Sequence, residues 1–295
     1  MAYTNSQRGT IHVEDARVLS HEAYPGDQFL LRLHAPQIAR RARPGAFVHL
    51  QCDPLLPMRR PMSVMRASPA QEWIDILYKA HGVGTDLLAR REVGQTLSVI
   101  GPIGVTFKLS EFRPLPLLIG GGVGIPPMVF LAEHIKGCGS PSSPFVVMGS
   151  EVPFPFTARP SRIMVPGLPA GVIAAMPLLE DWGIASRLAS LQGYQGCHEG
   201  YVTDLARCWL DSLPAARRAR EVEVFACGPT PMLKAVQRLA ADYGLPCQIS
   251  LEEYMACAVG GCAGCAVRVE TESGPAMKRV CVDGPVFEAR TVVFG

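Results

Sequence analysis

Cys257, Cys262 and Cys265 stand close together in ACAVGGCAGCAV (256–267), and Cys281 follows in KRVCVDGPVF. Thiols bind soft metals, form disulfides or act as nucleophiles, and their spacing separates these uses. C-x4-C-x2-C with a later fourth cysteine is the plant-type spacing of a [2Fe–2S] cluster. Structural zinc sites are usually built from two CxxC-like knuckles. Here one arm has x4 spacing and the other a single cysteine, which points away from zinc. A disulfide pair is the third reading, and a reducing cytosol disfavours it. Gly260, Gly261, Ala263 and Gly264 allow a tight loop whose backbone amides point at the sulfurs. Hydrogen bonds of that kind help to set a reduction potential.

Four upstream stretches are candidates for binding a cofactor. In MRRPMSV (58–64), Arg60 offers a planar bidentate donor suited to a pyrophosphate. Pro61 fixes the chain, Met62 follows, and the Ser63 hydroxyl can reach a ring nitrogen. The competing reading is a strand edge with solvated arginines. In LYKAHGVGTDLL (77–88), Leu77, Tyr78 and Lys79 end an extended run, and Gly82 and Gly84 let the backbone approach a ligand. Thr85 opens a short helix whose free amides can hold phosphate, or else caps an ordinary glycine turn. In LLIGGGVGIPPMVFLAE (117–133) a buried strand runs into Gly120, Gly121, Gly122 and Gly124, and Pro126 or Pro127 begins a helix. Strand-turn-helix crevices at the carboxyl end of a sheet bind nucleotides. This is not GxGxxG, because Pro127 stands where the last glycine would be. In VFACGPTPMLKAV (224–236), Cys227, Gly228 and Pro229 form a second such loop. Cys227 either packs in the core or faces a nicotinamide ring. No His or Lys lies near it in sequence to activate it, so it is not assigned as a nucleophile. No residue is expected to perform covalent or acid–base catalysis.

Elements of two kinds must position these residues. Up to about residue 111, IHVEDARVLS, QFLLRLHAP, AFVHLQC, MSVMRAS, EWIDILYKA and QTLSVIGP read as short strands of an antiparallel β-barrel or sandwich. Pro25-Gly26 and Pro44-Gly45 mark turns, and TDLLARRE has helical spacing. Beyond residue 114, PLPLLIG, PFVVMGS, AGVIAAMP and EVEVFACGP read as buried strands. They alternate with helices at IPPMVFLAEHIK, at YVTDLARCWLDSL with Thr203 as a cap, and at TPMLKAVQRLAADYG between Pro231 and Gly244. Such alternation predicts a parallel sheet. The Cys- and Gly-rich tail lacks helix signals and ends in β-like RTVVFG. The expected fold class is therefore multidomain β and α/β: a barrel over 1–111, a parallel-sheet nucleotide-binding unit over 112–247 and a small cluster module over 248–295.

Composition bounds the function. With 295 residues the chain has room for two domains and a module, and needs no covalent staple. Lys plus Arg is 28 against 26 for Asp plus Glu, a near balance that argues against a nucleic-acid or acidic-membrane partner. The opening MAYTNSQRGTIHVEDA lacks the apolar core of a signal peptide, and glycines and prolines break the most apolar run, PLPLLIGGGVGIPPMVFLA. A cytoplasmic protein is expected. The six other cysteines, Cys52, Cys138, Cys197, Cys208, Cys227 and Cys247, share no spacing and read mostly as small buried hydrophobes.

Taken in order, these motifs resemble the ferredoxin-reductase superfamily, and most closely the electron-transfer subunits of two-subunit, NAD-dependent dihydroorotate dehydrogenases. RRPMS resembles that family's flavin signature. LYK (77–79) and GT (84–85) resemble its FAD-lining segments. GPIG (101–104), GGGVGIPPM (120–128) and ACGPTPMLKAV follow its wording, and the cysteine tail is the most specific part. The resemblance implies FAD held by Arg60 to Ser63, a [2Fe–2S] cluster on the four cysteines, and NAD in the second half. It also implies an FMN-containing catalytic subunit as partner, in a heterotetramer of pyrimidine biosynthesis, whose electrons pass through the cluster and FAD to NAD+. The alternative is an NAD(P)H-dependent reductase subunit serving a hydrogenase, sulfur reductase or ferredoxin. A non-catalytic redox sensor is the third reading. The chain departs from the family in the Pro-rich stretch 152–169 and in PLLEDWGIASRLASLQGYQGCHEGYVTD, where Glu180, Asp181 and Gly183 resemble the remnant of an acidic segment.

Overall fold

A computed structural model describes residues 9–139 and 141–295. The polar start from Met1 to Arg8, which carries part of the reading of an absent leader, lies outside the described residues.

In the first half, burial alternates with a period of two along Thr96–Ile103, as in a strand with one wet face, whereas Phe47–Leu50 and Trp73–Tyr78 are buried on both faces. The strands of this half are β1 (His12–Tyr24), β2 (Gln28–His34), β3 (Phe47–Leu50), β4 (Arg60–Ser63), β5 (Arg66–Ser68), β6 (Trp73–Lys79) and β7 (Thr96–Ile103). They form an antiparallel sheet of order β4-β3-β7-β1-β2-β6-β5. MSVMRAS, expected as one strand, is two, and they lie at opposite edges. Val64 N donates to Ala46 O at one edge (3.1 Å), and Met65 N donates to Asp75 O at the other (2.8 Å). Two consecutive amides therefore close the sheet into a barrel. Val18, Leu31, Leu33, Val48, Leu50, Ile74, Ile76 and Val99 fill it. Helix α1 (Pro36–Arg41), unforeseen in the sequence, adds Ile38 and Ala39 to this core. The helical spacing of TDLLARRE corresponds to α2 (Val83–Leu88).

The second half begins with β8 (Leu115–Gly121), a 3₁₀ turn at Gly122–Gly124 and α3 (Ile125–Gly137), then β9 (Phe145–Gly149). A two-residue ladder, β10 (Arg159–Pro160) with β11 (Ala174–Ala175), precedes α4 (Pro177–Asp181), β12 (Ala185–Ser190) and β13 (His198–Glu199). Then come α5 (Val202–Ser212), α6 (Ala215–Glu221), β14 (Val222–Cys227), α7 (Thr230–Asp242) and β15 (Cys247–Ser250). These strands lie parallel in the order β13-β12-β9-β8-β14-β15. Alternate side chains of the strands pack α5 and α7 on one face and α3 on the other. Helix α3 is buried nearly all round from Ile125 to Ala132, and its Phe130 enters the barrel core. A helix apolar on every side belongs between two packed layers, and α3 joins barrel to sheet.

Three expectations are corrected here. AGVIAAMP supplies only β11, and the third parallel strand is ASRLAS. Its buried Arg187 hid it, for the guanidinium is satisfied by the carbonyls of Val172, Ser186 and Ile163. Thr203 lies inside α5, whose first turn is held by Tyr201 N donating to Asp204 Oδ2 at 3.1 Å. RTVVFG is not a strand, because Ala289–Thr291 form a 3₁₀ turn and Val292 makes one isolated bridge to Val269.

The tail leaves β15 in a loop, forms the hairpin β16 (Ala266–Thr271) and β17 (Gly274–Arg279), and turns through α8 (Val280–Asp283). It then returns as β18 (Val286–Glu288), antiparallel to β15. Among the described residues no helix is long and apolar enough to cross a membrane.

Candidate functional site

The four cysteines of the tail converge. Cys262 is exposed, Cys257 half-buried, and Cys265 and Cys281 are buried in the core shared with the parallel sheet. Gly261 N and Cys262 N donate to Cys257 Sγ at 3.3 and 3.4 Å, and Gly264 N donates to Cys262 Sγ at 3.4 Å. Aiming amides inward reverses the chain sharply: Ala258 and Ala263 take φ of 56° and 55°. Arg279 Nη1 ties the loop through Gly260 O at 2.8 Å. Burial pushes the Cys257 thiol up, but amides of Cys262 and Val259, the Cys262 side chain and the Gly261 amide outweigh it and bring it to about 7. Burial, then Cys265, pushes Cys281 up to about 12. Cys257 hydrogen-bonds with Cys262 and Cys281 with Cys265, and Cys257 also acts on Cys281 through space. Among the described residues no three His, Cys, Asp or Glu side chains converge on a single-ion position. Two thiol pairs fit the donor set of a diiron cluster, whereas one tetrahedral zinc asks for four ligands around a point.

Two flavin-candidate motifs also meet. A Cβ on Gly84 would stand 2.9 Å from Arg60 Nε, so the bare glycine admits the guanidinium. Arg60 Nη1 donates to the carbonyls of Met58 (3.1 Å) and Arg59 (3.2 Å), and among the described residues no carboxylate pairs with it. Arg59 is committed elsewhere, donating to Ser98 O at 2.7 Å and Ser98 Oγ at 2.9 Å. Pro61 and Ser63 lie half-buried on the outer face of β4, while Met62 turns into the barrel core. Tyr78 also turns inward. Its ring stacks on Phe29 at 5.4 Å and its hydroxyl meets His21 Nε2 at 2.9 Å. Leu77 packs into the core between barrel and sheet, and Lys79 is exposed. Thr85 Oγ1 accepts from His81 N (2.7 Å) and donates to Gly82 O (3.2 Å), closing the turn that places Gly84.

The two glycine loops flank one crevice. Strands β8 and β14 are neighbours, and the chain runs from β8 toward β9 and β12 but from β14 toward β15. Loops diverging from such a switch point leave a binding crevice at the carboxyl edge. Gly124 lies so near the Cys227 carbonyl that a Cβ would overlap it, and one on Gly121 would stand 2.5 Å from Met232 Sδ. Cys227 is fully buried, and its Sγ donates to Glu252 Oε1 at 3.8 Å. Burial, then Glu252, holds this thiol well above its usual range, so it is a protonated packing group and no nucleophile. Past the ends of β9 and β12 lies an apolar hollow of about 290 Å³ walled by Phe154, Phe156 and Tyr194, with Tyr24 and Pro25 of the barrel. Sequence reading missed it. Glu180 and Asp181 hold the Pro-rich stretch: Glu180 accepts from Ser161 Oγ and Arg162 N, and Asp181 pairs with Arg159. Of the other cysteines, Cys52 and Cys247 are also buried, Cys197 and Cys208 are half-buried, and Cys138 is exposed, so burial is the rule for only half of the six.

The cysteine module sits directly on the barrel. Val105 N donates to Gly284 O at 2.5 Å, and a Cβ on Gly45 would stand 2.9 Å from Val286 Cγ2. Phe47 and Ile103 of the barrel share a core with Met255, Ala258, Cys265 and Cys281.

Comparison with known proteins points the same way. Residues 252–293 match the family described as the iron-sulfur cluster binding domain of dihydroorotate dehydrogenase B. The chain is 31% identical to the dihydroorotate dehydrogenase B (NAD(+)) electron transfer subunit of Caldanaerobacter subterraneus subsp. tengcongensis, over 95% of this chain and 98% of that one. It is 33% identical to the subunit of the same name from Geobacillus kaustophilus, over 97% and 98%. Among solved structures, the NADH-dependent reduced ferredoxin-NADP oxidoreductase superposes with a TM-score of 0.74 at 25% identity, covering 95% of this chain and 90% of that chain. The cytochrome b5 reductase domain of Ulva prolifera nitrate reductase shares the fold, with a TM-score of 0.57 at 17% identity over 83% of this chain and 96% of that domain.

Proposed function

Because the chain belongs to the family of dihydroorotate dehydrogenase B electron transfer subunits, we propose that it carries electrons from an FMN-containing catalytic subunit through a [2Fe–2S] cluster and FAD to NAD+. The observation that carries this reading is the packing of the four-cysteine module onto the barrel strands next to β4. The two redox sites are thereby neighbours inside one chain.

The bound cofactors supply the redox chemistry, FAD exchanging hydride or single electrons and the cluster one electron at a time. The chain's residues hold and tune. Arg60, seated against Gly84, neutralises the flavin pyrophosphate. Ser63 on the outer face of β4 presents its hydroxyl to the ring, and backbone of Leu77, Tyr78, Lys79 and Thr85 borders it. Gly121, Gly122 and Gly124, with Gly228 and Pro229, form the nicotinamide crevice, and the buried Cys227 backs it through its carbonyl against Gly124. Cys257, Cys262, Cys265 and Cys281 ligate iron, and the inward amides of Gly261, Cys262 and Gly264 temper the sulfur charge. The units run over 1–111, 112–247 and 248–295. Cluster ligation needs free thiols, which suits the reducing cytoplasm.

Anaerobically purified protein is expected to carry one flavin and about two irons per chain, seen by visible spectrum and iron and sulfide analysis. Cys262 is exposed, so Cys262→Ser removes a ligand without disturbing the core; it loses iron and keeps flavin. Zinc in place of iron, or full iron in C262S, would sink the proposal. A second reading, a reductase subunit for another acceptor, is favoured by the likeness to the ferredoxin-NADP oxidoreductase. Dihydroorotate-dependent NAD+ reduction with the catalytic subunit decides between them.

A further inference from the structure

A dinucleotide seated in the nicotinamide crevice must lay its adenosine end somewhere else on the same sheet edge. In the order β12-β9-β8-β14, three strand spacings of about 4.8 Å separate β14 from β12. That span is the scale of an extended dinucleotide. The apolar hollow past β9 and β12 therefore lies where the adenosine comes to rest. Its walls are rings: the centroids of Phe154 and Phe156 are 5.4 Å apart, and those of Phe154 and Tyr194 are 6.3 Å apart. No charged side chain lines it. A flat purine suits such a slot, whereas its ribose stays at the polar rim.

That rim is fixed in place. Ser190 Oγ donates to Ser150 O at 2.7 Å, so the ends of β9 and β12 are stitched side by side. Val152 N donates to Ser150 Oγ at 3.3 Å and Gln192 N to Ser190 Oγ at 3.2 Å, and both serines are buried. Between Ser150 and the hollow stands Glu151, which is exposed and, among the described residues, has no hydrogen-bond or ion-pair partner.

The charge on this edge has one sign. Residues 150–158 and 190–200 contain Glu151 and Glu199 but no lysine or arginine. The arginines that flank them are committed, Arg159 to Asp181 and Arg187 to buried carbonyls. Glu151 follows β9, next to the strand that carries the first glycine loop, whereas Glu199 ends β13 at the far edge of the sheet. In parallel sheets an acid so placed accepts from the ribose 2′-hydroxyl of NAD(H), and an arginine takes the 2′-phosphate of NADP(H).

We propose that Glu151 is the residue that decides which nucleotide this chain uses: with adenine in the aromatic hollow, its carboxylate accepts from the 2′-hydroxyl of NAD(H) and repels the 2′-phosphate of NADP(H). This rests on the proposed nicotinamide crevice at the two glycine loops.

The test uses the full chain loaded with flavin and cluster. Calorimetric titration with NAD+ and NADP+ runs beside steady-state reduction of an artificial acceptor by NADH and NADPH. The wild type is expected to bind NAD+ on the order of 10- to 100-fold more tightly than NADP+, the scale of a hydrogen bond to a charged group. Glu151→Gln keeps an acceptor and removes the charge, and should cut that preference on the order of tenfold. Glu151→Arg supplies the cation that the edge lacks and should reverse it. Both changes should fall on KM and not on kcat, because the adenosine end takes no part in hydride transfer. Tyr194→Ala, in the wall of the hollow, should weaken NAD+ and NADP+ alike. Equal wild-type affinity for the two nucleotides overturns the inference, as does an unchanged preference in both Glu151 variants or an unchanged affinity in Y194A. A chain that carries flavin and iron but binds neither nucleotide overturns the functional reading along with it, so the two failures are told apart by whether NAD+ binds at all.

Discussion

Gly124 is where the two nucleotide-side loops touch backbone to backbone. The atoms that a Cβ would overlap there are the carbonyl of Cys227 and the amide of Gly228, neither of which can swing aside as a side chain can. Gly124→Ala is therefore expected to destabilise the protein by about 1–3 kcal/mol. It should also weaken NADH binding while leaving the iron content unchanged, which thermal unfolding and an NADH titration will show. Residues of this kind are legible in sequence because local geometry demands them: a cluster loop needs its cysteine spacing, and a tight strand-to-helix turn needs glycine. The burial of His49 was not legible, because the Met255 backbone that lies against it comes from the far end of the chain. Nor was the commitment of Arg59 to Ser98, which only the pairing of β3 with β7 reveals.

At the scale of elements, β14 carries a buried acid at the join between barrel and sheet. Glu223 is 4% exposed, accepts Ser110 N at both carboxylate oxygens (3.1 and 3.3 Å), and lies near Arg113 and Glu288. Burial pushes its pKa from 4.5 up to about 7, against the pull of the Ser110 amide and Arg113. The sign follows from linkage. The folded chain keeps this proton to higher pH than the unfolded one, so stability is greatest below the unfolded value and falls as pH rises from about 4.5 to about 7. The loss is on the order of 2–3 kcal/mol. Glu223→Gln should flatten that slope, and the gap in Tm between variant and wild type should widen from pH 5 to pH 8. An unchanged slope would show that the carboxyl ionises freely in the fold. Strands with plain apolar runs, such as β8 and β14, were readable because both of their faces are buried. Strand β12 was not, because Ser186, Arg187 and Ser190 look like loop residues until their partners appear across the fold.

Across the whole molecule, barrel and sheet are clamped by one arginine. Arg66 of β5 pairs with Glu133 of α3 at 2.6 Å, and its guanidinium lies 5.4 Å from the Trp73 ring and 5.2 Å from the Trp182 ring. Trp73 belongs to the barrel and Trp182 follows α4, so the cation holds both halves. Arg66→Met is expected to lower stability by about 1–2 kcal/mol and to release flavin at a lower temperature. Iron should be retained, because the module packs elsewhere; simultaneous loss of iron and flavin would mean that the clamp governs all three units. The change of texture near residue 111 announced two architectures in the sequence, whereas the clamp between them was invisible, being written in residues from four separate segments.

The chain leaves β15 at Ser250 to form the cysteine module and comes back as β18 to pair with that same strand, Ser250 opposite Val286. A carrier hung from a single linker would diffuse between donor and acceptor. This one is stitched down at both ends and has no arm to swing. The distance from the module to the barrel is therefore set by the fold itself rather than by diffusion.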